Sequence, residues 1–162
     1  MESIKFDKTA QLLAKPGVLE NITQEELSDR LTLAAKSLEQ PIKRFTPVGS
    51  GNLQRSIIGE LVNPLLARVM TPVKYGVFIE KGTQAHPVNS EGIASLTLWA
   101  RRKFGLDYKA ARGAAFAIAA NIRKKGSKGH KMFEKGFEFG LPTVMNILNG
   151  TGNGVIERLK KL

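Results

Sequence analysis

The chain has 162 residues, no cysteine and a formal net charge of +11. The missing thiols exclude disulfide scaffolds and thiolate metal sites, and fit assembly in a reducing cytoplasm. The charge points to a polyanionic partner, either nucleic acid or an acidic protein surface. No apolar run is long enough to predict a membrane-spanning helix, and residues 1–8 lack a signal-peptide apolar core.

The length suits one domain with an extended arm. The expected organisation is an N-terminal arm over 1–22, a single α+β core over 23–148, and a flexible linker with a short C-terminal segment over 149–162. The arm opens on the alternating Ile4-Lys5-Phe6-Asp7 and reaches Pro16-Gly17, a chain break. Thr23-Gln24-Glu25-Glu26 carries a capping-box signature, with Thr23 as N-cap and Glu26 reaching back. Leu27, Leu31, Ala34 or Ala35, Leu38 and Ile42 then recur at helical spacing. This predicts a helix over 24–40, with a further turn to Phe45 in reach; Pro41 should kink or end it.

Residues 46–53 (T-P-V-G-S-G-N-L) are loop chemistry, and they lack the Gly-Lys-Ser/Thr ending of a phosphate-binding P-loop. Two strands are expected over 53–61 and 65–70, joined through Val62-Asn63-Pro64. A third is expected over 74–80, where Y-G-V-F-I-E is rich in β-branched and aromatic residues and would place Tyr75, Val77 and Ile79 in the core. So short a run also admits a helix. Gly82 suits a positive φ, and Pro87 should end any pairing near His86. The fold class is therefore α+β: a long N-terminal helix, a small antiparallel sheet of three or four strands, and later helices packed on one face.

The later helices are marked clearly. Asn89 or Ser90 can cap a helix with the stripe Ile93, Leu96, Trp99 and Phe104, ended by Gly105. Residues 108–125 are Ala-rich, with Ala111, Ala114, Ala115, Ile118, Ala119 and Ile122 as the packing face. Gly126-Ser127-Lys128-Gly129 breaks that helix. Residues 130–145 carry Met132, Phe133, Phe137, Phe139 and Leu141, with a stop or kink at Pro142. Asn149-Gly150-Thr151-Gly152-Asn153-Gly154 reads as a flexible linker.

Between Trp99 and Gly136 stand eleven Lys or Arg against two acids, which suggests one basic face. Arg101, Arg102, Lys103, Arg123, Lys124, Lys125, Lys128 and Lys131 are its candidate members, for DNA phosphates or an acidic protein. Solubility and the helix dipole account for the same residues without a ligand. His86 and His130, with Glu80, match no metal-ligand spacing. Ser90, His86 and Glu80 make no catalytic set by proximity in sequence alone. Neither a cofactor nor catalysis is expected.

Four segments carry a resemblance. T-P-V-G-S-G-N-L-Q-R-S-I at 46–57 is similar to a TPV-x-x-G-x-L-x-x-SI segment, and V-K-Y-G-V-F-I-E-K-G-T-Q-A-H-P at 73–87 resembles YA-x-Y-V-E-x-GT-x-x-H. Residues 96–105 look like L-x-x-W…K-x-G, and 114–135 resemble IAR-x-I-x-x-KG…G-x-x-FF-x-x-A. The order and spacing resemble the neck and tail-completion proteins of tailed bacteriophages, over roughly 46–139. Gly76 departs from the pattern, which more often has Ala at that point. The resemblance implies an α+β structural subunit at the head–tail junction or tail end, assembled in the host cytoplasm and localised to the virion. It implies a homo-oligomeric ring, six-fold like the tail tube, in contact with head-closure, tail-terminator or tail-tube proteins. Tyr75, Glu80, Gly82, Thr83, His86 and Pro87 are the expected subunit or partner contacts; Gly82, Thr83, His86 and Pro87 follow the expected strand, where loops are displayed. The alternative is a sequence-independent DNA-binding module associated with packaging.

Overall fold

The computed structural model describes residues 17–161. The expected arm lies almost wholly outside them. Helix α1 runs Val18–Phe45, followed by the helical turn α2 Asn52–Arg55, strands β1 Ile58–Asn63 and β2 Leu66–Met70, helix α3 Gly76–Lys81 and strand β3 Gly82–Thr83. Helices α4 Ser90–Phe104 and α5 Tyr108–Lys125, strand β4 Ser127–Lys128, and helices α6 Met132–Asn149 and α7 Thr151–Leu159 complete it. The class is α+β with a long first helix. The strands, however, form two separate two-stranded ladders, β1 with β2 and β3 with β4, not one sheet of three or four.

The described chain divides into two compact units. The first holds 17–39, Ile58–Val69 and 139–161; the second holds Gln40–Ile57 and Met70–Glu138.

In the first unit, the helix α1 begins at Val18, nearly two turns earlier than the capping box predicts. Thr23 is already inside it, and its hydroxyl donates back to the Leu19 carbonyl at 2.8 Å. Glu26 therefore does not reach back. It is 6 % exposed and takes hydrogen bonds from Arg30 Nε and Arg158 Nε, each at 2.7 Å. Arg158 also meets Glu25 at 3.1 Å and Asp29, which ties α7 to α1. That tie explains why the Asn-Gly run is helical and not a linker: α7 starts at Thr151 and is anchored by its arginine. A side chain at Gly154 would collide with the Glu26 carboxylate, so the glycine gives the acid its seat.

The two guanidinium partners, Arg30 first and Arg158 next, hold the Glu26 carboxyl below its ordinary value. A depressed carboxyl stabilises the fold above its unfolded pKa and loses that contribution as pH falls through the folded one. Glu26→Gln should therefore cost about 2 kcal/mol near neutral pH, discounted from the loss of a buried pair because the arginines are partly wetted. The gap to the wild type should begin to narrow as pH falls below about 4.5 and close only below the depressed folded value, as urea titrations across pH would record.

β1 lies on α1. Gly59 packs against the Ala35 backbone, and its N–H donates to Glu39 Oε1 at 2.9 Å. Strand β1 begins only at Ile58; the expected start near Leu53 is instead the turn α2, which buries Leu53 and bonds Arg55 to Asn52 Oδ1.

The second unit is built around Ile42, Ile57 and Met132, all fully buried. Pro41 neither ends α1 nor stops it short of Phe45, and α6 likewise continues past Pro142. The inward face of α6 retains Met132 of the expected hydrophobic pattern and otherwise departs from it. Met132, Gly136, Gly140 and Val144 are buried at a spacing of four, whereas Phe137, Phe139 and Leu141 are exposed. Glycine at 136 lets the helix backbone approach Ile42 of α1; an added Cβ would stand 2.5 Å from Ile42 Cα. Helices α4 and α5 are capped by Asn89, which accepts from Gly92 N, and by Asp107, which accepts from Ala110 N, both at 2.8 Å. Gly105 ends α4 in the left-handed conformation. Ala111, Ala115 and Ala119 form the buried stripe of α5.

Candidate functional site

The segment 74–80, expected as a strand, is the short helix α3. The reason is tertiary. Coiling the chain turns the last carbonyls of α3 and the Glu80 carboxylate toward residues 129–134. His130 N donates to Ile79 O at 2.7 Å, and Lys131 N to Glu80 O at 3.1 Å. The Glu80 carboxylate accepts from Phe133 N at 2.9 Å and from Glu134 N at 3.3 Å. Glu80 thus caps the first turn of α6 from 53 residues away, filling donors that the helix cannot satisfy itself. Glu80→Gln keeps the shape but removes the charge. It should cost about 1 kcal/mol, and Glu80→Ala about 2 kcal/mol, by thermal or urea unfolding.

β3 and β4 pair directly behind this cap, Gly82 with Lys128 and Thr83 with Ser127. The Thr83 and Ser127 hydroxyls meet at 2.9 Å. Gly82 has φ +82 and Gly126 has φ +74; a Cβ on either would strike a backbone carbonyl of the other strand, Ser127 or Thr83. The two glycines permit both the turn and the close approach.

Of the six expected contact residues, Glu80, Gly82 and Thr83 are thus occupied within the fold. Tyr75, His86 and Pro87 are exposed. His86 Nδ1 contacts the Gln84 carbonyl at 2.9 Å within its own loop. Tyr75, Val77 and Phe78 are 45–57 % exposed, so the expected burial of Tyr75 and Val77 does not occur. Phe78 was not among the expected contacts; helical coiling, unlike a strand, places it with Tyr75 on the outside.

The basic residues fall into two clusters at the ends of two helices. Helices α4 and α5 are joined by three residues, 105–107, and such a short link makes them an antiparallel pair. Arg101, Arg102 and Lys103 end α4, while Arg123, Lys124 and Lys125 end α5, with Lys128 just beyond. At 1.5 Å per residue the two clusters stand roughly 25 Å apart along the helical hairpin. A cleft of about 420 Å³ lies at the first end, between Leu98, Arg101, Arg102, Gly105 and Leu106. Arg102 donates to the Gly49 carbonyl. Lys131 pairs with Glu134 at 2.9 Å, and that hydrogen bond raises its pKa. Arg101, Lys103, Arg123, Lys124, Lys125 and Lys128 are exposed and have no ion-pair partner among the described residues. Lys109 and Arg112, exposed on α5, join the first cluster; Arg112 lies over the Phe116 ring at 5.7 Å. Sequence alone gave no reason to add them until the helical hairpin was in view.

The second unit carries sixteen Lys or Arg against five Asp or Glu, a net of +11. The described first unit carries six against seven, a net of −1. The whole charge excess therefore sits on one unit.

No group of three or more His, Asp or Glu suited to a metal ion occurs among the described residues. No helix among them is long and apolar enough to cross a membrane. No protein-family model, curated protein or solved structure matches the chain.

Proposed function

We propose that the protein is a structural virion subunit of a tailed bacteriophage, acting in tail completion or head–tail joining as a ring-forming neck or tail-end component. One observation carries this reading. The four segments that resemble that class of protein, 46–57, 73–87, 96–105 and 114–135, all fall in the second unit, although 58–69 interrupts them in the chain. Their characteristic residues have mutually dependent roles there: Glu80 caps α6, and Gly82 and Thr83 hold the chain break at 126–129. In this reading the exposed Tyr75, His86 and Pro87 meet neighbouring neck or tail proteins, and the protein is not an enzyme. Deleting the gene should yield unjoined heads and tails by electron microscopy. Joined, infective particles from the deletion would overturn the reading.

A second reading is favoured by the confinement of the charge excess to one unit. That unit contacts nucleic-acid phosphates without regard to sequence, as a packaging-associated module or within the assembled ring. Gel-shift titration on unrelated duplexes at low salt tests it; equal, salt-sensitive binding is expected, and none would remove it.

A further inference from the structure

Helix α5 carries five Lys or Arg and no acid, and Asp107 just before it is engaged as the cap by Ala110 N. Coiling at 3.6 residues per turn gathers Lys109, Arg112, Phe116, Arg123 and Lys124 into a sector of roughly 120°. All five are exposed, whereas Ala111, Ala115 and Ala119 form the buried stripe on another side of the helix. Gly113 and Ala120 fall within the same sector. A Cβ at Gly113 would meet nothing within 4 Å, so the face is open there and Phe116 stands above small neighbours.

The Phe116 ring is 51 % exposed, and Tyr108 at the start of the helix is 59 % exposed. Arg112 stands four residues from each, its guanidinium 5.7 Å from the Phe116 centroid. Residues at a spacing of four are neighbours on a helix surface, so Tyr108, Arg112 and Phe116 make a ring–guanidinium–ring series along one edge of the basic sector. Single exposed aromatics are ordinary. Two that flank an arginine are not, on a helix whose other exposed positions are Ala, Gly, Asn, Lys or Arg.

We propose that this face of α5 takes single-stranded nucleic acid, with unpaired bases stacked on Tyr108 and Phe116 and phosphates held by Lys109, Arg123 and Lys124. The Arg112 guanidinium plane extends the stack. Charge requires a polyanion, because the face holds cations and no acid. The rings select among polyanions. In a duplex both faces of each base are covered by its neighbours, so the two rings add nothing, whereas an unpaired base has a face free to stack. An acidic polypeptide would match the cations, but its carboxylates are repelled by the negative ring faces. The length agrees: Lys109 to Lys124 spans roughly 22 Å, about six nucleotides at the 3.4 Å stacked rise. The inference deepens the nucleic-acid reading of the second unit and rests on it.

The test is fluorescence anisotropy of the full chain with labelled oligo-dT and with the matching dA·dT duplex, at about 50 mM salt. Tyr108→Ala with Phe116→Ala should weaken binding of the single strand at least about tenfold and of the duplex by less than about twofold. The salt slope should not move, since no charge is lost, and both positions are exposed, so circular dichroism should be unchanged. Phe116→Leu keeps an apolar side chain without a ring face and should also weaken the single strand, whereas Phe116→Tyr should bind as the wild type does. Lys109→Gln with Arg123→Gln should lower the single-strand slope by about 1.4. Ring variants that bind oligo-dT like the wild type, or that lose strand and duplex alike, would overturn the proposal and leave the phosphate reading standing. A wild type that binds the duplex alone would do the same. Binding to neither probe would remove both. Preference for poly-glutamate over oligo-dT of equal charge would assign the face to an acidic protein, and the proposal would fail.

Discussion

Gly82→Ala should destabilise the second unit by at least about 3 kcal/mol, among the large losses expected from a single added methyl in this chain. Two costs combine. The backbone at Gly82 has φ +82 and ψ −174, a region that only glycine occupies freely. The new Cβ would also strike the Ser127 carbonyl and approach Gly129 N to 2.7 Å, and neither backbone atom can yield as a side chain would. Relief requires β3 and β4 to part. Their separation breaks the Thr83–Ser127 contact and draws Ile79 and Glu80 away from 130–134, so the cap on α6 weakens as well. For a chain of this size the melting temperature should fall by roughly 10 °C. Lys81→Ala, one residue earlier and exposed, should change stability by less than about 0.5 kcal/mol. A Gly82→Ala protein that melts with the wild type would mean that the β3–β4 pairing does not form in solution.

The same stretch marks where sequence reading succeeds and where it stops. Gly105, Asn89 and the alanines of α5 act locally, so their roles follow from capping and propensity alone. Position 82 was legible as a turn glycine for the same reason. Residues 74–80 were legible as a strand or a helix, with propensity favouring the strand; a hydrogen-bond partner 53 residues further on decides for the helix. Glu26 shows the same limit. Its spacing from Thr23 suits a capping box, yet a buried carboxylate between two arginines is the stronger attraction, and one of them is Arg158. On α6 the error has a different source. Hydrophobicity alone assigns phenylalanines to the core, but close helix approach selects glycine, and Gly136 against Ile42 leaves no space for a larger residue. The basic cluster was legible as composition. Its division into two ends depends on the helical hairpin, which a charge count does not contain.

That division leads to the other large effect. If the second unit meets duplex DNA, replacing Arg101, Lys103, Arg123, Lys124, Lys125 and Lys128 together by Gln should abolish detectable binding at 150 mM salt. Arg102 is left in place because it bonds the Gly49 carbonyl. The six others are exposed and unpaired among the described residues, so their removal costs only their modest attraction to the helix C-termini. Each phosphate contact contributes about 0.9 to the slope of log affinity against log salt, so six give a slope near −5 and an affinity loss on the order of 10³-fold between 50 and 200 mM. The two ends can be separated. Clusters roughly 25 Å apart span about seven base pairs at 3.4 Å each. A duplex lying along the helical hairpin touches both, and Arg101→Gln with Lys103→Gln should then lower the slope by about 2, the four-residue variant by about 4. A duplex crossing one end touches one cluster, and only the variant at that end changes the slope. An acidic protein partner predicts a third pattern. Both variants would weaken its binding, while duplex DNA would show no measurable affinity even for the wild type.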